Sequence, residues 1–131
     1  MRAFLDTNVL VYAFSQDERA ERARSLLDGN VVGVQCLNEF INVALKKLRL
    51  SWSAIAFALD RIERLCEIEP TIDLALHRTG MGLAQRYRVT IYDGLILAAA
   101  LRAGCDILWS EDMQDGLVVE KALTVRNPFL A

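Results

Sequence analysis

The residues able to do chemistry in this sequence are its carboxylates. There are 17 Asp and Glu but one histidine, His77, set among Leu74, Ala75, Leu76 and Arg78. One histidine and no paired cysteines leave no zinc site of ordinary ligand spacing. A Ser/His/Asp triad would have to be built on that single residue. Cys36, Cys66 and Cys105 are odd in number, tens of residues apart and in apolar surroundings, which predicts reduced core thiols in a cytosolic protein. Carboxylates gathered in one place suit hard cations such as magnesium or manganese. The acids to test are Asp6, Glu39, Asp93 and the run Ser110-Glu111-Asp112-Met113-Gln114-Asp115.

Position matters as much as type, so the elements around these acids come next. Residues 2–5 form a short apolar run that stops at Asp6-Thr7-Asn8, a buried strand followed by good helix-capping residues. Residues 17–27 read as a charged helix ended by Asp28-Gly29-Asn30, and residues 31–35 as a second strand. A helix over 36–49 carries Leu37, Phe40, Ile41, Ala44, Leu45 and Leu48 at helical spacing, and another over 52–66 is capped by Ser51 or Ser53. Residues 67–69, before Pro70, are a short edge strand. Helices over 72–87 and 91–103 follow, the second apolar nearly all round and so buried, with strands over 106–109 and 123–126. Strands alternating with helices predict a three-layer α/β/α sandwich around a mainly parallel sheet, in one domain spanning 1–131.

Ligands of such sheets bind beyond the carboxyl ends of the strands. Asp6 directly follows the first strand, Glu39 lies a helical turn after the second, Asp93 opens the helix leading into the 106–109 strand, and Ser110 to Asp112 follow that strand. Each has a local alternative. Asp6, Thr7 or Asn8 read equally as N-caps, and Glu39, nearly opposite the Leu37/Ile41/Ala44/Leu48 stripe, as a solvated carboxylate. Asp93 has first-turn capping as its alternative, although Ile91, Tyr92 and the apolar run 95–101 predict burial, where an unpaired carboxylate is costly. The 110–115 segment reads equally as a solvated turn closed by Gly116. Accidents at all of these corresponding positions are less frequent than one.

Composition sets outer bounds. With 131 residues, 53% hydrophobic and 24% charged, and a mean hydropathy of +0.24, the chain can bury a core without disulfides or a structural metal. No apolar stretch reaches the roughly 18 residues of a membrane span before a charge or turn interrupts it. Asp6 and Asn8 interrupt what would be the apolar segment of an export signal, so a cytoplasmic location is expected.

Phe4-Leu5-Asp6-Thr7-Asn8-Val9-Leu10, the acid Glu39 in the second helix, Tyr92-Asp93 opening an alanine-rich helix, and Leu108-Trp109-Ser110-Glu111-Asp112 together resemble the PIN domain. More narrowly, the chain is similar to the VapC-type toxins of bacterial toxin–antitoxin pairs, from the first strand to Asn127-Pro128-Phe129. The resemblance implies a ribonuclease dependent on one or two magnesium or manganese ions, with Asp6, Glu39, Asp93 and Asp112 as the acidic quartet and Thr7, Asn8 and Ser110 as polar supports. Asp115 or Glu111 is an alternative for the fourth acid, and Asp115 a candidate for the outer shell. It further implies an antitoxin covering the site and a homodimer, for which apolar helix surface between residues 17 and 66, including Trp52 and Phe57, is available; core packing is the alternative use of that surface.

The formal charge is −2, but setting the quartet aside leaves 15 cationic against 13 acidic side chains (17 less 4), a mildly basic remainder. Lys46, Lys47 and Arg49, with Arg86 and Arg88, are candidate phosphate contacts on an RNA substrate, or else ordinary solvated helix faces. Two other function classes fit less well. A phosphoacceptor receiver domain needs a paired acid after the first strand and a lysine after the last, whereas here Thr7-Asn8 and Arg126-Asn127-Pro128 stand there. A PIN-like scaffold that binds RNA or a partner without cutting is the remaining alternative.

Overall fold

The computed structural model describes residues 2–70 and 72–130. Strand β1 (Ala3–Leu5) is buried along its whole length and leads through Asp6 into helix α1 (Thr7–Ala13). Helix α2 (Ala20–Ser25), strand β2 (Val31–Gly33), helices α3 (Val34–Lys46) and α4 (Trp52–Leu65), and strand β3 (Glu67–Glu69) complete the first half. Helices α5 (Leu74–Tyr87) and α6 (Ile91–Arg102), then strands β4 (Ile107–Trp109), β5 (Val118–Val119) and β6 (Leu123–Arg126), make the second. The sheet order is β3-β2-β1-β4-β6-β5, with every pairing parallel except β5 against β6. Helices flank this sheet in the expected α/β/α layering, which is why β1 and β2 read as continuous apolar runs without alternation.

The chain moves outward from β1 through β2 to β3, then returns to the other side of β1 with β4. The order therefore reverses between β1 and β4, the place where sheets of this kind open a crevice. The two strands pair Leu5 with Trp109, and the Asp6 N–H donates to the Trp109 carbonyl at 3.0 Å just past that pair. Their carboxyl ends, and the residues after them, are fixed side by side.

Several boundaries differ from the sequence reading for local reasons. The 17–27 helix shrinks to α2, because the Asp17 carboxylate accepts from the Arg19 N–H at 2.9 Å and pairs with its guanidinium, holding the chain in a turn up to Ala20. The second strand stops at Gly33, where a β-carbon would meet the Phe4 ring at 3.0 Å, and α3 starts and ends earlier than predicted. Strand β5 was not anticipated. It is two residues long and joins β6 through a tight turn in which Glu120 (φ 53°) and Lys121 (φ 57°) both take positive φ and Ala122 N–H donates to Val119 C=O at 3.0 Å. Such turns ordinarily advertise themselves by Asn-Gly or Asp-Gly, and Glu-Lys carries no such signal.

Helix α6 is buried over Ile96–Ala100, as its apolar circumference predicts. It lies unusually close to α5. A β-carbon on Gly94 would collide with the Gly80 carbonyl oxygen, and one on Gly80 would come within 2.7 Å of Leu95. The three cysteines are free and buried. Among the described residues, no helix is long and apolar enough to cross a membrane.

Candidate active site

Asp6 ends β1 and caps α1, so the two readings of it are compatible. One carboxylate oxygen accepts the Thr7 N–H at 2.7 Å, and the other accepts the Ser110 hydroxyl at 2.7 Å and the Asn8 amide at 3.3 Å. Its residue is only 4% exposed. Burial, with the charges of Asp93 and Asp112 adding to it, pushes its pKa up to about 6 against the opposing hydrogen bonds from Ser110 and Thr7. Ser110, fully buried, begins the segment after β4; its hydroxyl also accepts the Met113 N–H at 3.2 Å, shaping the turn that carries Asp112.

Asn8 links the two strand ends. Its Nδ2 reaches Asp6 at 3.3 Å, Ser110 at 3.5 Å and Asp112 at 3.3 Å, while its Oδ1 accepts the Glu111 N–H at 3.2 Å. One amide side chain thereby holds a carboxylate from each of two chain segments about a hundred residues apart.

Glu39 is not opposite the buried face of α3. The residues that are fully buried there are Cys36, Phe40 and Ala44, so the core stripe is rotated from the predicted one and Glu39 stands on its flank, beside Val43. The Thr7 hydroxyl donates to its Oε2 at 2.5 Å. Asp93 is half-buried in the first turn of α6, but Thr90 performs the capping, its Oγ1 accepting the Asp93 N–H at 3.1 Å. Burial first, then the charges of Asp112 and Glu39, raise the Asp93 pKa, with Thr90 partly opposing.

Asp6, Glu39, Asp93 and Asp112 line one open cleft of about 310 Å³, together with Thr7, Asn42, Val43 and Ile96. The other acids of the 110–115 segment are engaged elsewhere. Glu111 takes the Arg19 guanidinium at 2.8 Å, and Asp115 accepts the Asn127 N–H at 2.8 Å. Of the basic candidates only Lys47 reaches the neighbourhood, lining an adjoining compartment. Arg86 pairs with Glu120 at 2.5 Å, Arg88 ends α5 in a left-handed conformation, and Lys46 and Arg49 line neither space. Sequence reasoning passed over Asn42 and Arg19. Asn42 follows Glu39 by three residues, a spacing that puts both on one helix face. Arg19 carried no signal, since its Glu111 partner is 92 residues away.

The donor set fits a hard divalent cation: four carboxylates, oxygen ligands throughout, one of them buried, and no Lys or Arg in the lining. The carboxylates are spread around the cleft, and among the described residues no three His, Cys, Asp or Glu side chains are already closed on a single point.

The PIN domain profile matches residues 3–114, which contain all four acids. The chain belongs to the PIN domain family. Solved structures with the same fold include a toxin–antitoxin complex from Klebsiella pneumoniae (TM-score 0.73, 22% identity, covering 97% of this chain and 98% of that one). VapC20 of Mycobacterium tuberculosis, a toxin that cleaves the sarcin-ricin loop, aligns with TM-score 0.68 and 16% identity over 84% of this chain and 91% of its own. VapBC2 from Rickettsia felis, bound to a DNA fragment of its promoter, aligns with TM-score 0.67 and 18% identity over 97% and 100%. At these identities the likeness is one of fold. No curated protein sequence gives a significant match. In this PIN domain, the acids come from four separate segments and meet at the strand-order reversal.

Proposed function

We propose that this PIN domain is a ribonuclease dependent on magnesium or manganese, acting in the cytoplasm as the VapC-type toxin of a toxin–antitoxin pair. The observation that carries the reading is the cleft itself: four carboxylates from the end of β1, α3, α6 and the segment after β4 around one space, with no Lys or Arg among the described residues that line it. Asp6, Asp93 and Asp112 are the residues to hold one or two ions, and Glu39 binds directly or through water and orients the attacking water. When bound, a divalent ion supplies charge neutralisation at the attacked phosphate and a lowered pKa for water.

The remaining work belongs to the chain. Thr7 N–H and Ser110 fix the Asp6 carboxylate, the Thr7 hydroxyl fixes Glu39, and Asn8 fixes Asp112. These donors hold the acids without neutralising their charge, so the site keeps its affinity for cations. Glu111, taken by Arg19, anchors the loop and is not assigned a ligand role, and Asp115 is assigned to the Asn127 backbone. The VapBC and Klebsiella complexes support an antitoxin as partner; the homodimer is proposed from the family resemblance alone. Trp52 and Phe57, exposed on α4, are candidates for such contacts.

Single-turnover cleavage of an RNA pool tests the reading. Cutting is expected with magnesium and abolished by EDTA, and Asp93→Asn is expected to keep the circular-dichroism spectrum while losing more than about tenfold in rate, about 1.4 kcal/mol of transition-state stabilisation. RNA bound but uncut under every metal condition would favour the non-cleaving scaffold. A small DNA-binding protein encoded beside this one is expected to bind it and stop the cutting.

A further inference from the structure

The acidic cleft continues beyond its carboxylates. Thr7, Val43 and Asp112 also wall a second compartment of about 320 Å³, which Tyr12, Glu111 and Lys47 help to close. Lys47, the C-cap of α3, then borders a third space of about 360 Å³ beside Phe14 and Leu50. Of the fifteen Lys and Arg side chains, all among the described residues, Lys47 is the one that lines any of these three spaces. Among the described residues it forms no ion pair. Arg19, close by, is already committed to Asp17, Glu111 and the Tyr12 hydroxyl.

The second compartment is built to hold a backbone and not a base. Its aromatic residue is engaged, with the Arg19 guanidinium 4.5 Å from the Tyr12 ring centroid and Phe129 in edge contact at 5.0 Å. No stacking platform is therefore offered, and the remaining walls are valine, the short polar groups of Thr7 and Asn8, the carboxylates of Asp112 and of Glu111, the latter already paired to Arg19, and the Lys47 ammonium. A polyanion lying among four carboxylates gains nothing from the protein's own charge until it reaches Lys47. Resting on the reading of the cleft as an RNA-cleaving site, we propose that Lys47 holds the phosphodiester of a nucleotide flanking the scissile bond, so that the RNA strand runs from the acids across the C-terminal end of α3. A lysine contacting phosphate alone contributes affinity and salt dependence with no sequence preference.

Fluorescence anisotropy with labelled single-stranded oligouridine and oligoadenine, on the Asp93→Asn background so that nothing is cut, measures this directly. Lys47→Ala is expected to weaken both RNAs in the same proportion, by about five- to tenfold, and to flatten the slope of log Kd against log salt by about 0.7. Lys46→Ala, a neighbour as exposed as Lys47 that lines none of the three spaces, is expected to change neither by more than about twofold, and Lys47→Arg to restore both. An unchanged slope with Lys47→Ala, an equal effect of Lys46→Ala, or no RNA binding at all would overturn the assignment. Cleavage by the wild type is read separately. RNA cut by a protein whose binding ignores Lys47 sinks the phosphate track alone, whereas RNA bound through Lys47 and never cut in magnesium sinks the nuclease reading alone.

Discussion

Asp6 shows how one residue serves structure and chemistry at once. Its position after an apolar run and before Thr7-Asn8 was legible as a cap, and the cap is there; what single-residue reasoning could not supply was the Ser110 hydroxyl on its other oxygen, because that partner is 104 residues away. The cost of burying this carboxylate is measurable. Its folded pKa of about 6 lies above the ordinary 3.8, so the folded state binds the proton more tightly than the unfolded chain does. The resulting stabilisation is fully present below about pH 4 and is lost as pH rises through 6, amounting to about 3 kcal/mol. In EDTA, the stability of the wild type relative to Asp6→Asn is therefore expected to fall between pH 4 and pH 7, as followed by urea midpoints; a difference that does not move with pH would contradict a strained, buried Asp6. Asparagine still caps a helix about as well, so the variant is expected to fold. The fourth acid divides in the same residue-by-residue way. Asp112→Asn is expected to damage RNA cleavage with little change in stability, and Asp115→Asn, whose amide oxygen can still accept the Asn127 N–H, to leave the stability nearly unchanged and the cleavage rate within about twofold. Equal activity defects would show that the two share the role.

At the scale of elements, periodicity located α3 and α6, which carry Glu39 and Asp93, while α1 was marked only by its capping residues; periodicity also misplaced the face that α3 turns inward. Leu37, Ile41, Ala44 and Leu48 looked like the stripe, yet α3 meets its neighbours on several sides and the fully buried set is Cys36, Phe40 and Ala44, which moves Glu39 from the outside to the flank. Burial of α6 was legible because it is apolar all round, but its close approach to α5 was not, since a glycine in a sequence does not reveal which backbone will touch it. That approach sets where Asp93 emerges. Gly94→Ala is expected to destabilise the fold by about 1–3 kcal/mol, because its methyl would meet the Gly80 carbonyl. Gly82→Ala, on the same α5 with nothing within 4 Å of the added carbon, is expected to stabilise by up to about 1 kcal/mol. Denaturant midpoints at unchanged m-value check both, and a Gly94→Ala protein as stable as the wild type would mean that α6 has more room than the packing shows.

For the molecule as a whole, alternating strands and helices were enough to foresee a parallel sheet, but not its order, and the order is what makes the site. The reversal between β1 and β4 brings Asp6 and Ser110 together, and α3 and α6 deliver Glu39 and Asp93 to the same edge. Whole-chain charge, −2 in total, conceals this arrangement: the acids that make the balance negative are concentrated in the cleft, and Lys47 stands at its continuation. If the four carboxylates are one cation site, a cation must stabilise the fold through all of them together. Melting curves of the wild type and Asp6→Asn, each in EDTA and in manganese at about 100 times its dissociation constant for the wild type, test that claim. The wild type is expected to gain about 2.7 kcal/mol, on the order of 10 °C, and Asp6→Asn less than about half as much. Equal manganese-induced shifts in the two proteins would show that Asp6 is no ligand and that the acids of the cleft do not act as one site.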